Sequence, residues 1–435
     1  MPTIAYALNE SPLHMESAII CYALTLALFI PASGFLADRF GTRNLFIFSL
    51  ILFSLGSLCS ASSTTLLALD ISRVIQGIGG AMMVPVSRLT LINAFERKDF
   101  LAALNTSTLL GLIGPFLGPL LGGYIAEKYT WHWIFLINIP IGFLGVVCAI
   151  RYMPNLRGVK NKLDIKGFLL ISFAFIFTTL SLELLSENKN TVMAIVSFII
   201  GGGLLYYYYS HAQSVAQHTH NEAIFPLSLF NVRTFRIGLF SNFISRLGVQ
   251  AIPFMMPLLL QLVFDYSPID SGLILAPIAI AAILMKELVT PILHRFGYRN
   301  VLIYSTFIVG FIVILLSFFD KKASLPLLVF LLFLMGFINS LRFTAMSSLT
   351  LADLHNQQTS SGNSLMAVSQ QLAITFGVAI GAVLVRILNG HTLGLHLNLL
   401  DAFRMSFIFL GGITFLSGFI FLKLSKSDGR NLIEK

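Results

Sequence analysis

The chain of 435 residues is 56% hydrophobic and only 11% charged, and its mean hydropathy is +0.85. Because a soluble domain carries roughly 25% charged residues, this composition excludes a soluble enzyme and a disordered protein and predicts a protein of the lipid bilayer. The formal net charge of +9 indicates cytoplasmic loops that face anionic lipid rather than a nucleic-acid partner. The three cysteines lie far apart in apolar stretches, which favours neither a disulfide framework nor a metal centre.

Thirteen apolar runs predict an all-α polytopic membrane protein. A transmembrane helix needs about 20 mainly apolar residues, and runs of that length alternate here with charged or turn-forming clusters. They span residues 16–37, 45–61, 69–93, 101–126, 132–153, 165–185, 191–210, 236–263, 270–293, 300–319, 325–347, 364–388 and 403–424.

Lysine and arginine predict which ends of these helices face the cytoplasm. One set of alternate loops carries most of them, and it contains Arg39, Arg43, Arg97, Lys98, Arg151, Arg157, Lys160, Lys162, Lys166, Arg233, Arg236, Arg295 and Arg299, followed by the basic C-terminal tail. The other set carries Lys128, Lys189, Lys321, Lys322, Arg386 and Arg404. We therefore expect the first set of loops and the C-terminus to be cytoplasmic.

The start of the chain fits this count poorly. An odd number of spans puts the N-terminus outside, yet residues 1–15 do not resemble a secretory signal. The segment from Met1 to Leu8 is typical of the last two turns of a helix, closed by Asn9, Ser11 and Pro12. We therefore expect a first transmembrane helix to be missing upstream, which would restore fourteen spans and a cytoplasmic N-terminus.

A short loop pattern occurs twice. Residues 38–44 read Asp-Arg-Phe-Gly-Thr-Arg-Asn and residues 294–300 read His-Arg-Phe-Gly-Tyr-Arg-Asn, identical at five of seven positions. Duplicated halves are characteristic of secondary transporters, which bind substrate where the halves meet. We accordingly predict an N-terminal bundle at 1–155, two linking helices and a cytoplasmic connector at 156–234, a C-terminal bundle at 235–425 and a cytoplasmic tail at 426–435.

The repeated loop is a candidate cytoplasmic gate. Glycine permits close helix approach and tight turns, and Asp38 can meet a helix N-terminus or pair with a neighbouring arginine. The second copy has His294 in place of Asp38, so the lock should be weaker there. The alternative is a plain basic loop that only sets topology. The gating residues are Gly34, Asp38, Arg39, Gly41 and Arg43 in the first copy, and Arg295, Gly297 and Arg299 in the second.

Two arginines inside apolar spans are candidates for substrate contact or coupling, because charge within the membrane is costly and usually functional. Arg73 lies two turns into its span, with Gln76 on the same helix face; the alternative is an arginine that snorkels to the outer interface. Arg246 lies at a span centre, with Gln250 one turn along; the alternative is an arginine that serves only structure. No acidic residue lies at a span centre, which favours an anionic or neutral substrate over a cationic one.

The run from Gly114 to Gly123 is a candidate helix-packing gate. Gly114, Gly118 and Gly122 recur every four residues and are followed by Gly123, which favours close contact with another helix. Pro115 and Pro119 interrupt backbone hydrogen bonds and introduce a bend. A contact face with a purely structural role is the alternative.

These motifs resemble those of the major facilitator superfamily. Residues 34–43 resemble its loop signature, residues 73–81 its fourth-helix motif, and residues 114–123 the fifth-helix motif of its antiporters. Residues 131–140, Trp-His-Trp-Ile-Phe-Leu-Ile-Asn-Ile-Pro, are similar to the start of the sixth helix in its fourteen-span drug:proton antiporter branch of the EmrB/QacA type. Within that branch the chain looks most like the MdtD-type members.

The resemblance implies two pseudo-repeated bundles, alternating access, and export of small amphiphilic compounds or organic anions from a bacterial inner membrane. The proton gradient would supply the energy without a cofactor, and some members work with a periplasmic adaptor. In the resembled family, an acidic residue just upstream of an Ala-Leu-Pro turn in the first helix is a candidate for proton coupling. Met1 and Pro2 occupy the Leu-Pro positions of that turn, so the acid would fall in the missing helix. An uncoupled facilitator or importer and a non-transporting membrane sensor are the alternatives.

Three histidines in the connector could suggest a metal site. His211, His218 and His220 lie in a polar stretch with no nearby acid except Glu222. We expect them to be solvated loop residues rather than metal ligands.

Overall fold

The computed structural model describes residues 2–94, 114, 117–118, 120–158, 163–187, 191–218, 223–321, 323–390 and 397–432, and every regular element within these ranges is helical. The chain divides into two compact units. The first comprises Met1–Ile176 and Gly201–Ile224, and the second comprises Phe177–Ile200 and Phe225–Lys435. The four-part division inferred from the sequence stays a prediction.

In chain order, the helices up to the connector are α1 (Pro2–Ala7), α2 (Glu16–Phe40), α3 (Thr42–Ala61), α4 (Leu66–Ala94), α5 (Trp133–Leu136), α6 (Asn138–Tyr152), α7 (Ile165–Glu187) and α8 (Thr191–His218), with residues 120–128 also helical. Helix α1 confirms the short helix predicted at the start of the chain. It ends before Asn9, whose φ of 56° is left-handed, and Ser11 then caps the helical turn Pro12–Met15.

The remaining helices are α9 (Arg233–Gln250), α10 (Ile252–Leu262), α11 (Pro268–Leu315), α12 (Leu325–Leu351), α13 (Asn356–Asn389) and α14 (Leu399–Ser417). Among the described residues, 11 helices are long and apolar enough to cross a membrane. One of them, Pro268–Phe318, contains both predicted spans 270–293 and 300–319, which meet at a kink at Gly297. The ten other predicted spans each coincide with one further membrane-length helix; 132–153 takes in both α5 and α6, and 236–263 takes in both α9 and α10. The span 101–126 lies largely outside the described residues.

Glycines bring the helices of the first unit together. A Cβ on Gly56 of α3 would lie 2.5 Å from the backbone nitrogen of Gln76, and one on Gly79 of α4 would lie 2.5 Å from that of Phe53. Gly77 faces Thr25 of α2 in the same way. In a bilayer the hydrophobic effect does not drive helices together, because the lipid tails are as apolar as the side chains. Close van der Waals contact, which small residues permit, stabilises the helix pairs instead. The glycines after Gln76 therefore pack α4 against α2 and α3.

The repeated loop has the same conformation in both copies. Gly41 has φ 92° and ψ 147°, and Gly297 has φ 73° and ψ 158°, a backbone region that is essentially restricted to glycine. The arginine two residues earlier lies over the following phenylalanine ring in each case, at 5.8 Å for Arg39 and 5.6 Å for Arg295. The sequence repeat is thus also a structural repeat.

We predict that Gly41→Ala lowers the free energy of unfolding by about 1–3 kcal/mol or more, because alanine is strained at this φ and ψ and its Cβ would also meet the side chain of Asn155. Gly297→Ala should cost less, since its Cβ would have no described atom within 4 Å. The control is Gly34→Ala, in open space within helix α2. Thermal unfolding in detergent measures all three. Equal stability of Gly41→Ala and Gly34→Ala would contradict the assignment.

Candidate functional site

Arg73 of α4 is held inside the first unit by hydrogen bonds to neutral groups, and the carboxylate of Asp70, one turn earlier, also attracts its charge. Its Nε donates to the carbonyl oxygen of Ala18 at 3.2 Å, and its Nη1 donates to Oε1 of Gln76 at 2.5 Å. The guanidinium also stacks on the ring of Tyr22, 4.1 Å from its centroid. A cation over an aromatic face is attracted by the ring quadrupole. The side chain therefore bonds within the protein, which favours the buried interpretation over snorkelling.

A polar chain continues from Gln76 across two further helices. Gln76 is 1% exposed, and its Nε2 donates to Oγ of Ser57 on α3 at 2.6 Å. Nδ2 of Asn138, on α6, donates to the same hydroxyl at 3.3 Å. The structure thus brings together the predicted pair Arg73 and Gln76. Sequence reasoning missed Tyr22, Ser57 and Asn138, because their roles depend on tertiary neighbours.

Arg246 of α9 lines a cavity in the second unit. In this conformation the cavity has room for about one water molecule, and it is lined by Arg246, Val249, Gln250, Asn339, Arg342, Phe343 and Met346. Nε of Arg246 donates to Oδ1 of Asn242 at 2.6 Å, and the guanidinium lies 4.3 Å from the centroid of the Phe343 ring. The predicted pair Arg246 and Gln250 shares this cavity, whose described lining contains no acidic residue.

Arg342 is a second cation in the same cavity, and sequence reasoning missed it. It is 2% exposed, its Nη2 donates to Oδ1 of Asn339 at 2.7 Å, and its Nη1 donates to the carbonyl oxygen of Ser245 at 3.5 Å. A lone arginine inside the predicted span 325–347 was the available signal. Helix periodicity places Asn339, Arg342, Phe343 and Met346 on one face of α12.

The first copy of the repeated loop is covered by the segment that follows α6. The backbone nitrogen of Thr42 donates to the carbonyl oxygen of Leu156 at 2.9 Å, and its hydroxyl donates to that of Pro154 at 3.0 Å. Asp38 lies against Gly158 and forms no ion pair with a described residue. Lys160 and Lys162, which follow Gly158 closely, lie outside the described residues, so the charge lock at Asp38 stays a prediction. Arg43, which is half-buried, and Gly34, which is exposed, lie on either side of Gly41. No described atom lies within 4 Å of a Cβ on Gly34.

The second copy is covered by the C-terminal tail. Gly429, with φ 81°, packs against the ring of Tyr298, and Arg233 donates to the carbonyl oxygen of Lys423 and, at 3.4 Å, to the carboxylate of Asp428. Nε of Arg299 is buried and has no hydrogen-bond partner among the described residues. The two copies are thus covered in a similar way. The segment after α6 contacts Thr42, which follows Gly41, and the C-terminal tail contacts Tyr298, which follows Gly297.

The predicted helix-packing gate is only partly described. Gly114, Gly118, Gly122 and Gly123 are helical, and no described atom lies within 4 Å of a Cβ on the first three. Pro115 and Pro119 lie outside the described residues. The gate role of this segment stays a prediction.

The interpretation of His211 as a solvated loop residue is wrong. Helix α8 extends to His218, and the His211 side chain is 14% exposed with its Nε2 2.9 Å from Oδ1 of Asp164. Asp164 also accepts from the backbone nitrogens of Gly167 and Ile224, at 2.8 and 3.4 Å. The apolar run ended at residue 210, but the helix continues because this carboxylate holds its end against α7. His220 and the side chain of His218 lie outside the described residues.

The chain matches the family description Major Facilitator Superfamily over residues 1–232 and 238–435. A protein of Escherichia coli O6:H1, provisionally named multidrug resistance protein MdtD, is 39% identical over 434 residues, which cover 99% of this chain and 91% of that protein. A protein of Serratia proteamaculans with the same provisional name is 42% identical over 386 residues, covering 88% and 80%.

Solved structures show the same fold. A variant of the nucleoside transporter NupG has a TM-score of 0.67 at 14% identity, covering 97% of this chain and 92% of that one. The POT family transporter PepTSo has a TM-score of 0.69 at 12% identity, covering 97% and 90%. The human organic anion transporter MFSD10 has a TM-score of 0.60 at 15% identity, covering 94% and 83%. The family match, the relatives and the membrane helices together identify a multi-pass membrane transporter rather than an enzyme, and the chain belongs to the major facilitator superfamily.

Proposed function

We propose that this transporter exports small amphiphilic compounds or organic anions by alternating access, and that the inward flow of protons drives the export. The observation that carries the proposal is the cavity at Arg246, which combines a guanidinium, amide groups and apolar walls. Ligand sites of this kind are mostly apolar, with a few polar groups that fix orientation. The relatives' provisional name, multidrug resistance protein, supports the direction of transport.

We further propose a bacterial inner-membrane location with a cytoplasmic C-terminus. The support is the concentration of lysine and arginine in one set of alternate loops and in the tail. A periplasmic adaptor is a proposal that rests on the family resemblance alone, and co-purification from crosslinked cells tests it.

Proton coupling is assigned to the first unit. Coupling requires a polar network whose hydrogen bonds change when one member gains or loses a proton. The chain of contacts from Arg73 through Gln76 to Ser57 and Asn138 joins three helices and has no titratable member near neutral pH, so we propose that Asp70, whose charge acts on Arg73, carries the proton and that these contacts respond to it. No cofactor enters this scheme, because the proton gradient is the source of energy.

We predict that Arg246→Gln lowers transport at least about tenfold, because the cavity loses a charged donor worth on the order of 1.5–3 kcal/mol. Arg246→Lys should fall between this variant and the wild type, since an ammonium lacks the planar fork. Uptake of radiolabelled 4-phenylbutane-1-sulfonate into inverted membrane vesicles measures the effect; this probe is permanently charged. Arg404→Gln, at a half-exposed residue paired with Asp401, is the control. Unchanged uptake by Arg246→Gln would remove the cavity from the transport path.

We predict that the same sulfonate, added to energised inverted vesicles, releases protons from their lumen, because export in this orientation moves substrate inward in exchange for protons. Dequenching of a pH-sensitive dye measures the release. Gln76→Leu should lower proton release more than it lowers downhill sulfonate flux, since it breaks the network beyond Arg73. Sulfonate flux without proton release in the wild type would favour the uncoupled facilitator instead.

A further inference from the structure

The cavity of the second unit carries two positive charges that neutral groups solvate. Arg246 and Arg342 both line it, and their hydrogen bonds within the described chain go to Asn242, Asn339 and the carbonyl oxygen of Ser245. Amide and carbonyl oxygens stabilise a guanidinium without cancelling its charge. The described lining therefore keeps a net positive charge in a place where charge is expensive.

The two arginines differ in what they offer to a ligand. Arg246 is half-buried, and among the described residues its only hydrogen bond is the one from Nε to Asn242. Neither Nη atom donates to a described residue, and the two can donate in parallel, the geometry that matches an oxyanion such as a carboxylate, sulfonate or phosphate. Both Nη atoms of Arg342 are already engaged, and its side chain is 2% exposed. Arg342 therefore acts on a ligand through its positive charge more than through direct hydrogen bonds.

Two like charges in one cavity are costly to bury, because the repulsion between them is weakly screened away from water. A buried charge without an opposite partner also costs desolvation free energy, which an apolar residue of similar volume does not. A role for Arg342 in stability alone is thus poorly supported. A ligand of opposite sign relieves the repulsion, whereas a cationic ligand increases it.

We propose that Arg342 is a specificity-determining residue that sets the charge sign of the ligand, so that the cavity accepts amphiphiles with an oxyanion head group and rejects cationic ones. The head group binds the two Nη atoms of Arg246, and its apolar part packs against Val249, Phe343 and Met346. Arg342 acts as a positioning residue that supplies the second positive charge. This inference rests on the proposed function, because it makes the Arg246 cavity the ligand site.

The test compares two probes of opposite permanent charge and similar shape, 4-phenylbutane-1-sulfonate and trimethyl(4-phenylbutyl)ammonium. Equilibrium binding of each is measured on the purified full chain in detergent, without a proton gradient, for the wild type, Arg342→Met and Arg342→Lys. Arg386→Met is the matched control, because it removes a partly buried positive charge from a residue that does not line the cavity. Thermal unfolding is recorded for every variant.

The wild type should bind the sulfonate more tightly than the ammonium compound. Arg342→Met should reduce this preference about tenfold or more while leaving the unfolding temperature unchanged or higher. Arg342→Lys and Arg386→Met should keep the preference. If Arg342→Met does not fold, Arg342→Gln replaces it with the same expectation.

A wild type without charge preference, or an Arg342→Met variant with the wild-type preference, overturns the inference. These outcomes are separable from failure of the proposed function. Preferential sulfonate binding without proton-driven transport in vesicles would contradict the export proposal and leave the role of Arg342 intact. If transport is proton-driven but Arg342→Met keeps the wild-type charge preference, the export proposal stands and the role of Arg342 is contradicted.

Discussion

An arginine that leaves water must find hydrogen-bond partners inside the protein, and this requirement organises both units of the chain. Arg73 is held by the carbonyl oxygen of Ala18, the amide of Gln76 and the ring of Tyr22. Arg246 and Arg342 are held by asparagine oxygens, a backbone carbonyl and the ring of Phe343. Neutral partners lower the cost of burial without cancelling the positive charge; in the first unit the carboxylate of Asp70 also attracts Arg73. Each unit thus presents a fixed guanidinium.

The repeated glycine turn shows how the two halves reach similar structures from different sequences. Gly41 and Gly297 share a backbone conformation that other residues adopt only under strain. The positions around them have diverged: Thr42 is bonded to Pro154 and Leu156, whereas Tyr298 packs against Gly429. Duplication with later divergence of the covering segments is consistent with the inverted and parallel repeats of transporter folds.

Local sequence patterns were enough to predict the helices and the repeated turn. In lipid, an unbroken apolar run of about 20 residues pairs its own backbone groups only as a helix. The shared Arg-Phe-Gly pattern favours the same turn in both copies. The pairing of Arg73 with Gln76 also followed from helix periodicity. The rest depended on neighbours distant in sequence. Periodicity could not show that Arg342 shares a cavity with Arg246, that Tyr22 stacks on Arg73, or that Asp164 extends α8 to bury His211.

The central claim is that the cavity at Arg246 binds the transported anion. The most direct measurement is the rate at which a thiol reagent modifies Gln250→Cys, in a chain whose Cys21, Cys59 and Cys148 are replaced by serine. Because Gln250 lines the cavity, the account predicts that 4-phenylbutane-1-sulfonate slows the modification and that the trimethylammonium analogue does not. Equal modification rates with and without the sulfonate would contradict it.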